Sequence, residues 1–269
     1  MLITSNAHDF RASNIAFVPT MGALHQGHAS LIQQARQWSN QVVVSIFVNP
    51  LQFENKSDLE KYPRTPEKDA QIAERAGASV LWLPNPKDIY PGEVATVEPG
   101  AIGNIFEGQS RSSHFQGVLT VVKRLFDLVQ PQWAIFGEKD FQQLFLIKEM
   151  VREFQIPISI MPGKTIRDSD GLAISSRNVR LSAKDRESAL VISQALISAH
   201  EKETLSLMQE ALEKVLSSEP LFRPDYACII DEDTFELAIE ATPNKRALIA
   251  GWVNGLRLID NMPMKISAR

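Results

Sequence analysis

The sequence predicts an α/β fold over its first two thirds, a parallel sheet with helices on both faces, plus a smaller C-terminal α+β domain. Three observations carry this. Short apolar runs alternate with helix-like stretches from Ile15 to Met161, the pattern of strands covered on both faces. That alternation stops around Gly171 to Asn178, after which two helix-like stretches follow one another. Asn254-Gly255 then joins two apolar runs, the strongest short hairpin signal, because both central positions of such a turn need positive φ.

Taken in order, Ile15 to Pro19 predicts a strand, followed by a Gly-containing loop and a helix over about Gly27 to Trp38. Val42 to Val48 is rich in β-branched residues and stops at Asn49-Pro50. Pro66 to Ala76 is amphipathic and is closed by Gly77; Ser79 to Leu83 is strand-like. Val118 to Val129 has helical period up to Pro131, Trp133 to Phe136 is a brief strand, Phe141 to Phe154 a helix, and Ile156 to Met161 closes the series. Ala183 to His200 and Thr204 to Ser217 are the two later helices. Strand-like runs follow at Tyr226 to Ile230, Ala247 to Val253 and Leu256 to Ile259. The domain boundary is expected near residue 173, giving domains 1–172 and 173–269. In parallel sheets, ligands bind outside the carboxyl ends of the strands, so residues just after strand-like runs are the candidates for a binding site.

Composition narrows the function. In 269 residues, 28 Lys and Arg against 32 Asp and Glu give a net charge of −4. The basic residues are scattered, which speaks against a nucleic-acid partner. With 44% hydrophobic and 22% charged residues, the chain has the make-up of a core-forming globular protein. A lone cysteine, Cys228 in an apolar run, excludes an internal disulfide and a multi-cysteine metal cluster; a buried, inert thiol is expected. Met1 to Arg11 lacks the basic start and apolar run of a signal peptide, and no stretch approaches the ~20 apolar residues of a membrane span. A cytoplasmic location with no membrane partner is therefore the expectation.

Four constellations carry chemistry. Pro19 to His28 (PTMGALHQGH) feeds a strand into a turn where His25 and His28 flank Gly27 at a helix start. The first N–H groups of that helix lack internal partners and suit an anion. Glycines at 22 and 27 allow close backbone approach, and two imidazoles can donate to phosphate oxygens. A buried histidine pair or a surface turn would be the ordinary alternative, and a zinc site lacks acidic or cysteine ligands at a recognisable spacing. Gly137-Glu138-Lys139-Asp140, with Gln142 and Gln143 after it, again lies between a strand and a helix. Lys139 offers a point charge for phosphate, while Asp140 is equally suited to cap the helix. Arg167 to Asn178 (RDSDGLAISSRN) supplies the Ser175 and Ser176 hydroxyls and the forked cation of Arg177, a set fit for a triphosphate or for a plain interdomain turn. Phe47 to Phe53 (FVNPLQF) puts Asn49 and Gln52 just past a strand, uncharged amides suited to a small polar substrate or to an Asn-Pro turn.

Together these segments resemble a known family. The His-x-Gly-His loop is shared by the nucleotidylyltransferase superfamily. The set PTMGALHQGH, FVNPLQF, YPRT (Tyr62 to Thr65), EGQSRSSHFQGV (Glu107 to Val118), GEKDFQQL and RDSDGLAISSRN resembles, in that order, the pantoate–β-alanine ligase (pantothenate synthetase) family. Leu51 stands where methionine is the commoner residue. The resemblance implies a Rossmann-like first domain and ATP held by Met21, Gly22, Ala23, Leu24, His25, Gln26, Gly27 and His28, with His28 and His25 as catalytic donors. It also implies ATP contacts from Gly137, Glu138, Lys139 and Asp140, with Lys139 catalytic on the phosphates, and from Ile166 and Ile174, Ser175, Ser176 and Arg177. Gln52 would contact pantoate and β-alanine, Gln143 pantoate, and Asn49 would belong to the same substrate pocket. Mg²⁺ and a homodimer are implied too; the metal ligands are unassigned, with Asp69 a candidate neighbour and Arg111 a candidate mobile cover.

The implied reaction is ligation of pantoate and β-alanine through a pantoyl adenylate, with release of pyrophosphate and then AMP. Two other readings stand beside it. One is a nucleotidyl transferase that releases an adenylylated product without needing an amine. The other is a nucleotide-binding regulator without turnover.

Overall fold

The computed structural model describes residues 1–10, 13–53 and 56–265. It divides into two compact units, Met1–Lys164 and Thr165–Arg269. The first contains strands β1 (Leu2–Thr4), β2 (Ile15–Thr20), β3 (Gln41–Ile46), β4 (Val80–Trp82), β5 (Trp133–Gly137) and β6 (Ser159–Gly163). Its helices are α1 (Gln26–Trp38), α2 (Lys56–Lys61), α3 (Pro66–Ala76), α4 (Pro86–Ile89), α5 (Glu107–Ser110), α6 (His114–Val129) and α7 (Phe141–Glu153). The six strands form one sheet in the order β1-β4-β3-β2-β5-β6, and every pairing is parallel.

Alternation along β2 explains the two layers. Ala16 and Val18, with Val42, Val44 and Leu81, pack against Ile32 and Ala35 of α1 and Ala73 and Ala76 of α3. Phe17 points to the opposite face, edge-on to Phe126 of α6 at 6.5 Å, and Phe126 meets Phe136 at 6.3 Å. Both faces are therefore dry, which is why these strands are continuous apolar runs. From β2 the chain builds outward through β3 and β4, then returns to lay β5 on the other side of β2. Strand order reverses between β2 and β5, so their carboxyl ends flank the crevice where such sheets bind ligands. β2 ends at Thr20 and β5 at Gly137, each beside a constellation singled out in the sequence.

The second unit has α8 (Ala183–His200), α9 (Leu205–Leu216) and an antiparallel sheet β7-β8-β9 (Phe222–Asp231, Lys245–Val253, Leu256–Pro263). Ile192, Leu196 and Leu212 share a core with Ala247, Ile249 and Val253. Asn254 (φ 47°) and Gly255 (φ 76°) turn β8 into β9, the primed-turn geometry expected of that pair. Several elements differ from the sequence reading, among them three strands. β7 begins at Phe222 rather than after Pro224, because a sheet edge with a register shift at Pro224/Tyr226 tolerates a proline. β6, at Ser159–Gly163, overlaps the apolar run Ile156 to Met161 but starts three residues later and ends two residues later. β1 escapes the pattern altogether: three residues long, it pairs with β4 on the outer edge and buries little.

Candidate active site

The loop after β2 turns on Gly22, whose φ of +83° is in the glycine-favoured region. A Cβ there would lie 3.0 Å from both Asp69 Oδ2 and Ile46 Cγ2. Asp69, only 1% exposed, draws the loop inward. The Ala23 and Leu24 N–H groups donate to its Oδ2 and Oδ1 at 2.9 and 2.7 Å, and Thr65 Oγ1 donates to Oδ1 at 2.9 Å. A carboxylate accepting three such bonds is fixed in place, so Asp69 braces the loop.

His25 caps α1. Its Nδ1 accepts from the Gly27 N–H at 3.1 Å, while its own backbone N–H donates to His28 Nδ1 at 3.3 Å. The two rings lie 4.1 Å apart. A Cβ on residue 27 would meet the His25 ring at 3.0 Å, which accounts for glycine between the histidines. The bonds also assign the tautomers. With both Nδ1 atoms accepting backbone N–H groups, each neutral ring carries its proton on Nε2. Burial, followed by the neighbouring His25, lowers the His28 pKa from 6.5 to about 3, against an opposing pull from Asp140. His28 is thus a neutral N–H donor at any ordinary pH.

β5 lies beside β2, which sets the loop after β5 next to the loop after β2, and the Asp140 carboxylate acts electrostatically on His28. Gly137 to Asp140 form the strand end and a single helical turn leading into α7. Asp140 occupies the N-cap position of α7 without a side-chain capping bond, so the capping reading of this residue is not realised. Its Oδ1 lies 4.0 Å from Lys139 Nζ. Gln143 is half-buried in the first turn of α7. Its neighbour Gln142 is spent on structure, donating to the Ile102 and Ile105 carbonyls and accepting from the Glu107 N–H.

Past β3, Asn49 and Gln52 form a buried corner. Asn49 Nδ2 donates to Gln52 Oε1 (3.2 Å) and to the Gly117 carbonyl (3.0 Å); its Oδ1 accepts from Leu51 N–H (3.2 Å) and Tyr90 OH (2.7 Å). Gln52 Nε2 contacts Met21 Sδ at 2.9 Å, which joins this corner to the β2–α1 loop. Gly117 is obligatory here, since a Cβ would sit 2.3 Å from the Leu51 carbonyl oxygen. His114 Nδ1 lies 3.2 Å from the Gln52 carbonyl and Arg111 Nη1 3.1 Å from His114 Nε2. Arginine only donates, so His114 accepts at Nε2 and donates from Nδ1.

A family model described as pantoate-beta-alanine ligase matches residues 3–263. The chain belongs to the pantoate–β-alanine ligase family. Relatives named pantothenate synthetase include one from Nocardioides sp., 44% identical over 96% of this chain and 81% of its own length. Another, from Chlorobium phaeobacteroides, is 45% identical, covering 94% and 91%. The crystal structure of pantothenate synthetase from Thermus thermophilus superposes with a TM-score of 0.91 at 40% identity, covering 97% of this chain and 99% of that one. The pantoate–β-alanine ligase of Francisella tularensis, complexed with β-γ ATP and β-alanine, gives 0.79 at 36% identity, covering 97% of each chain. The protein is thus an enzyme of this ligase family, with the six-stranded parallel sheet and small antiparallel sheet of its solved members.

Family motif residues on the second unit form a structure of their own. Ile174 N–H donates to the Ile166 carbonyl and Arg167 bridges to Ala173, which makes a tight hairpin over Asp168 to Gly171. Arg167 is held by both oxygens of Asp260 at 2.5 and 3.1 Å. Ser175 Oγ accepts from the Arg177 N–H and starts a short helical turn, Ser176–Arg180, on which Arg177 is exposed. Two contributors escape the sequence reading. The sequence marks Asp69 only as a metal neighbour and Tyr90 not at all, because both act through partners more than 40 positions away.

Proposed function

We propose that this enzyme joins pantoate to β-alanine in two half-reactions on ATP. The pantoate carboxylate attacks the α-phosphorus, forming pantoyl adenylate and expelling pyrophosphate. The β-alanine amine, once deprotonated, attacks the acyl carbon and expels AMP. A carboxylate resists acyl transfer because it is negatively charged and its oxide leaves poorly; adenylylation removes both obstacles.

The observation that carries the proposal is the His25–His28 pair at the carboxyl end of β2, each ring held by a backbone N–H on its Nδ1, beside the loop that follows β5. Two anions meet in the first step, so catalysis rests on fixed donors and cations where charge accumulates. His25 and His28 donate to phosphate oxygens, and their backbone bonds fix which nitrogen faces the ligand. Lys139 adds a positive charge from the β5 side. Met21 to Leu24, Gln26, Gly27, Gly137, Glu138 and Asp140 form the walls for ATP, while Gln52, Gln143 and Asn49 shape the pantoate corner. By resemblance to the family's motif, Ile166 and Ile174 to Arg177 are assigned to ATP as well.

Mg²⁺ usually arrives on substrate phosphates with few protein ligands. Among the described residues no group of three His, Cys, Asp or Glu forms a cage, and both Asp69 oxygens are engaged by the loop, so the donors fit an ion carried by the nucleotide. When bound it would neutralise phosphate charge. The same proposal places the enzyme in the cytoplasm as a homodimer.

Exchange of labelled pyrophosphate into ATP tests the mechanism. The expected result is exchange that requires pantoate and proceeds without β-alanine; absence of exchange with an otherwise active enzyme would rule out the adenylate. Mass analysis of the complete mixture separates the alternatives: pantothenate plus AMP is expected, whereas a released adenylate or no product would favour a nucleotidyl transferase or a regulator.

A further inference from the structure

Asn49 has two N–H donors and two carbonyl lone pairs, and all four are occupied: by Gln52, the Gly117 carbonyl, the Leu51 N–H and the Tyr90 hydroxyl. A saturated, 1% exposed amide has nothing left to offer a substrate. What it does is fix its neighbour. Asn49 gives its N–H to Gln52 Oε1, which turns the Gln52 amide so that Nε2 points toward Met21 on the β2–α1 loop. The orientation of Asn49 is fixed by the Leu51 N–H, which can only donate, and the Gly117 carbonyl, which can only accept; the Tyr90 hydroxyl, donating at 2.7 Å to the oxygen so placed, holds the amide in that position. Were Asn49 flipped, its amide nitrogen would confront the Leu51 N–H, and its oxygen would oppose both the Gly117 carbonyl and Gln52 Oε1.

We infer that Tyr90 is a positioning residue for substrate recognition, acting through Asn49 to present the Gln52 amide as a donor to an oxygen of the hydroxy acid. This rests on the proposed function and deepens it: Gln52 makes the contact, while Asn49 and Tyr90 make Gln52 competent. Tyr90 is well placed for such a role. It is half-buried, its ring lies 6.1 Å from that of Phe47, and the preceding Ile89 carbonyl accepts from Arg124 Nε on α6. The phenol is therefore held at both ring and backbone.

Tyr90→Phe deletes one oxygen and keeps the ring. The expected result is a pantoate KM raised roughly tenfold, as for loss of one hydrogen bond, with the ATP KM within twofold of the unaltered enzyme. On a Gln52→Ala background the same change should add nothing, because partners acting in series are non-additive. A full additive effect, an equal rise for ATP, or an unchanged pantoate KM would each overturn the inference. In the unaltered protein, the Gln52 side-chain amide resonances should shift on adding pantoate without ATP; if they do not, the inference fails irrespective of the variants. Pantothenate formation by the unaltered enzyme is measured alongside: its absence contradicts the proposed function, whereas its presence with any of the contrary outcomes contradicts only the role of Tyr90.

Discussion

His28 illustrates how a residue type acquires its chemistry from bonds rather than from its usual titration. Its Nδ1 is taken by the His25 backbone N–H and burial lowers its pKa to about 3. Nitrogen-15 chemical shifts should therefore show a neutral Nε2–H ring down to pH 5, whereas titration near 6.5 would contradict the assignment. The sign for stability follows. Between pH 6.5 and 3 the unfolded chain takes up a proton that the native site refuses. The contribution of this group is complete above 6.5 and is lost progressively as pH falls toward 3, as chemical denaturation at graded pH would record. His28→Ala should reduce product formation by ~100- to 1,000-fold, the usual cost of deleting one preorganised donor, while nucleotide affinity changes far less. Steady-state kinetics beside ATP binding isotherms distinguish the two. Cys228 is the opposite case, a reactive residue type silenced by its surroundings: burial pushes the thiol up to about 12.

At the scale of elements, the β2–α1 loop is held by a helix elsewhere in the sequence. Asp69 on α3 accepts from two loop N–H groups and Thr65. Asp69→Asn replaces one acceptor oxygen by a donor that faces an N–H group. It should cost about 1–3 kcal/mol, measured as a shift in the denaturation midpoint. Gly22→Ala forces φ near +83° on a residue with a Cβ 3.0 Å from two neighbours, and should raise the ATP KM. The motif loop itself was legible because its information is local: strand, glycine, two histidines, helix. Its brace was not, since Asp69 lies 46 positions from Ala23 and a lone acid at a helix start is compatible with several roles. Edge elements were the least legible for a related reason. β1 buries too little to leave a hydrophobic pattern, and Pro224 breaks the run of a strand that an edge position permits.

At the scale of the molecule, the order β1-β4-β3-β2-β5-β6 decides where chemistry can happen. The sequence showed that informative residues follow strands, but not that β2 and β5 are neighbours, because their loops are more than 100 positions apart. Adjacency of β2 and β5 makes His28 and Asp140 electrostatic neighbours and turns separate motifs into one crevice. The two hairpin positions of the second unit, by contrast, were legible outright, because positive φ at both demands residues such as Asn and Gly. The proposed chemistry requires a triphosphate docked across that crevice, and a crystal structure with a non-hydrolysable ATP analogue and pantoate tests this most directly. Phosphate oxygens within hydrogen-bond reach of His25 and His28 Nε2, with Lys139 Nζ on the same phosphates, are the predicted result. A nucleotide bound elsewhere, with both imidazoles touching only protein, would contradict it.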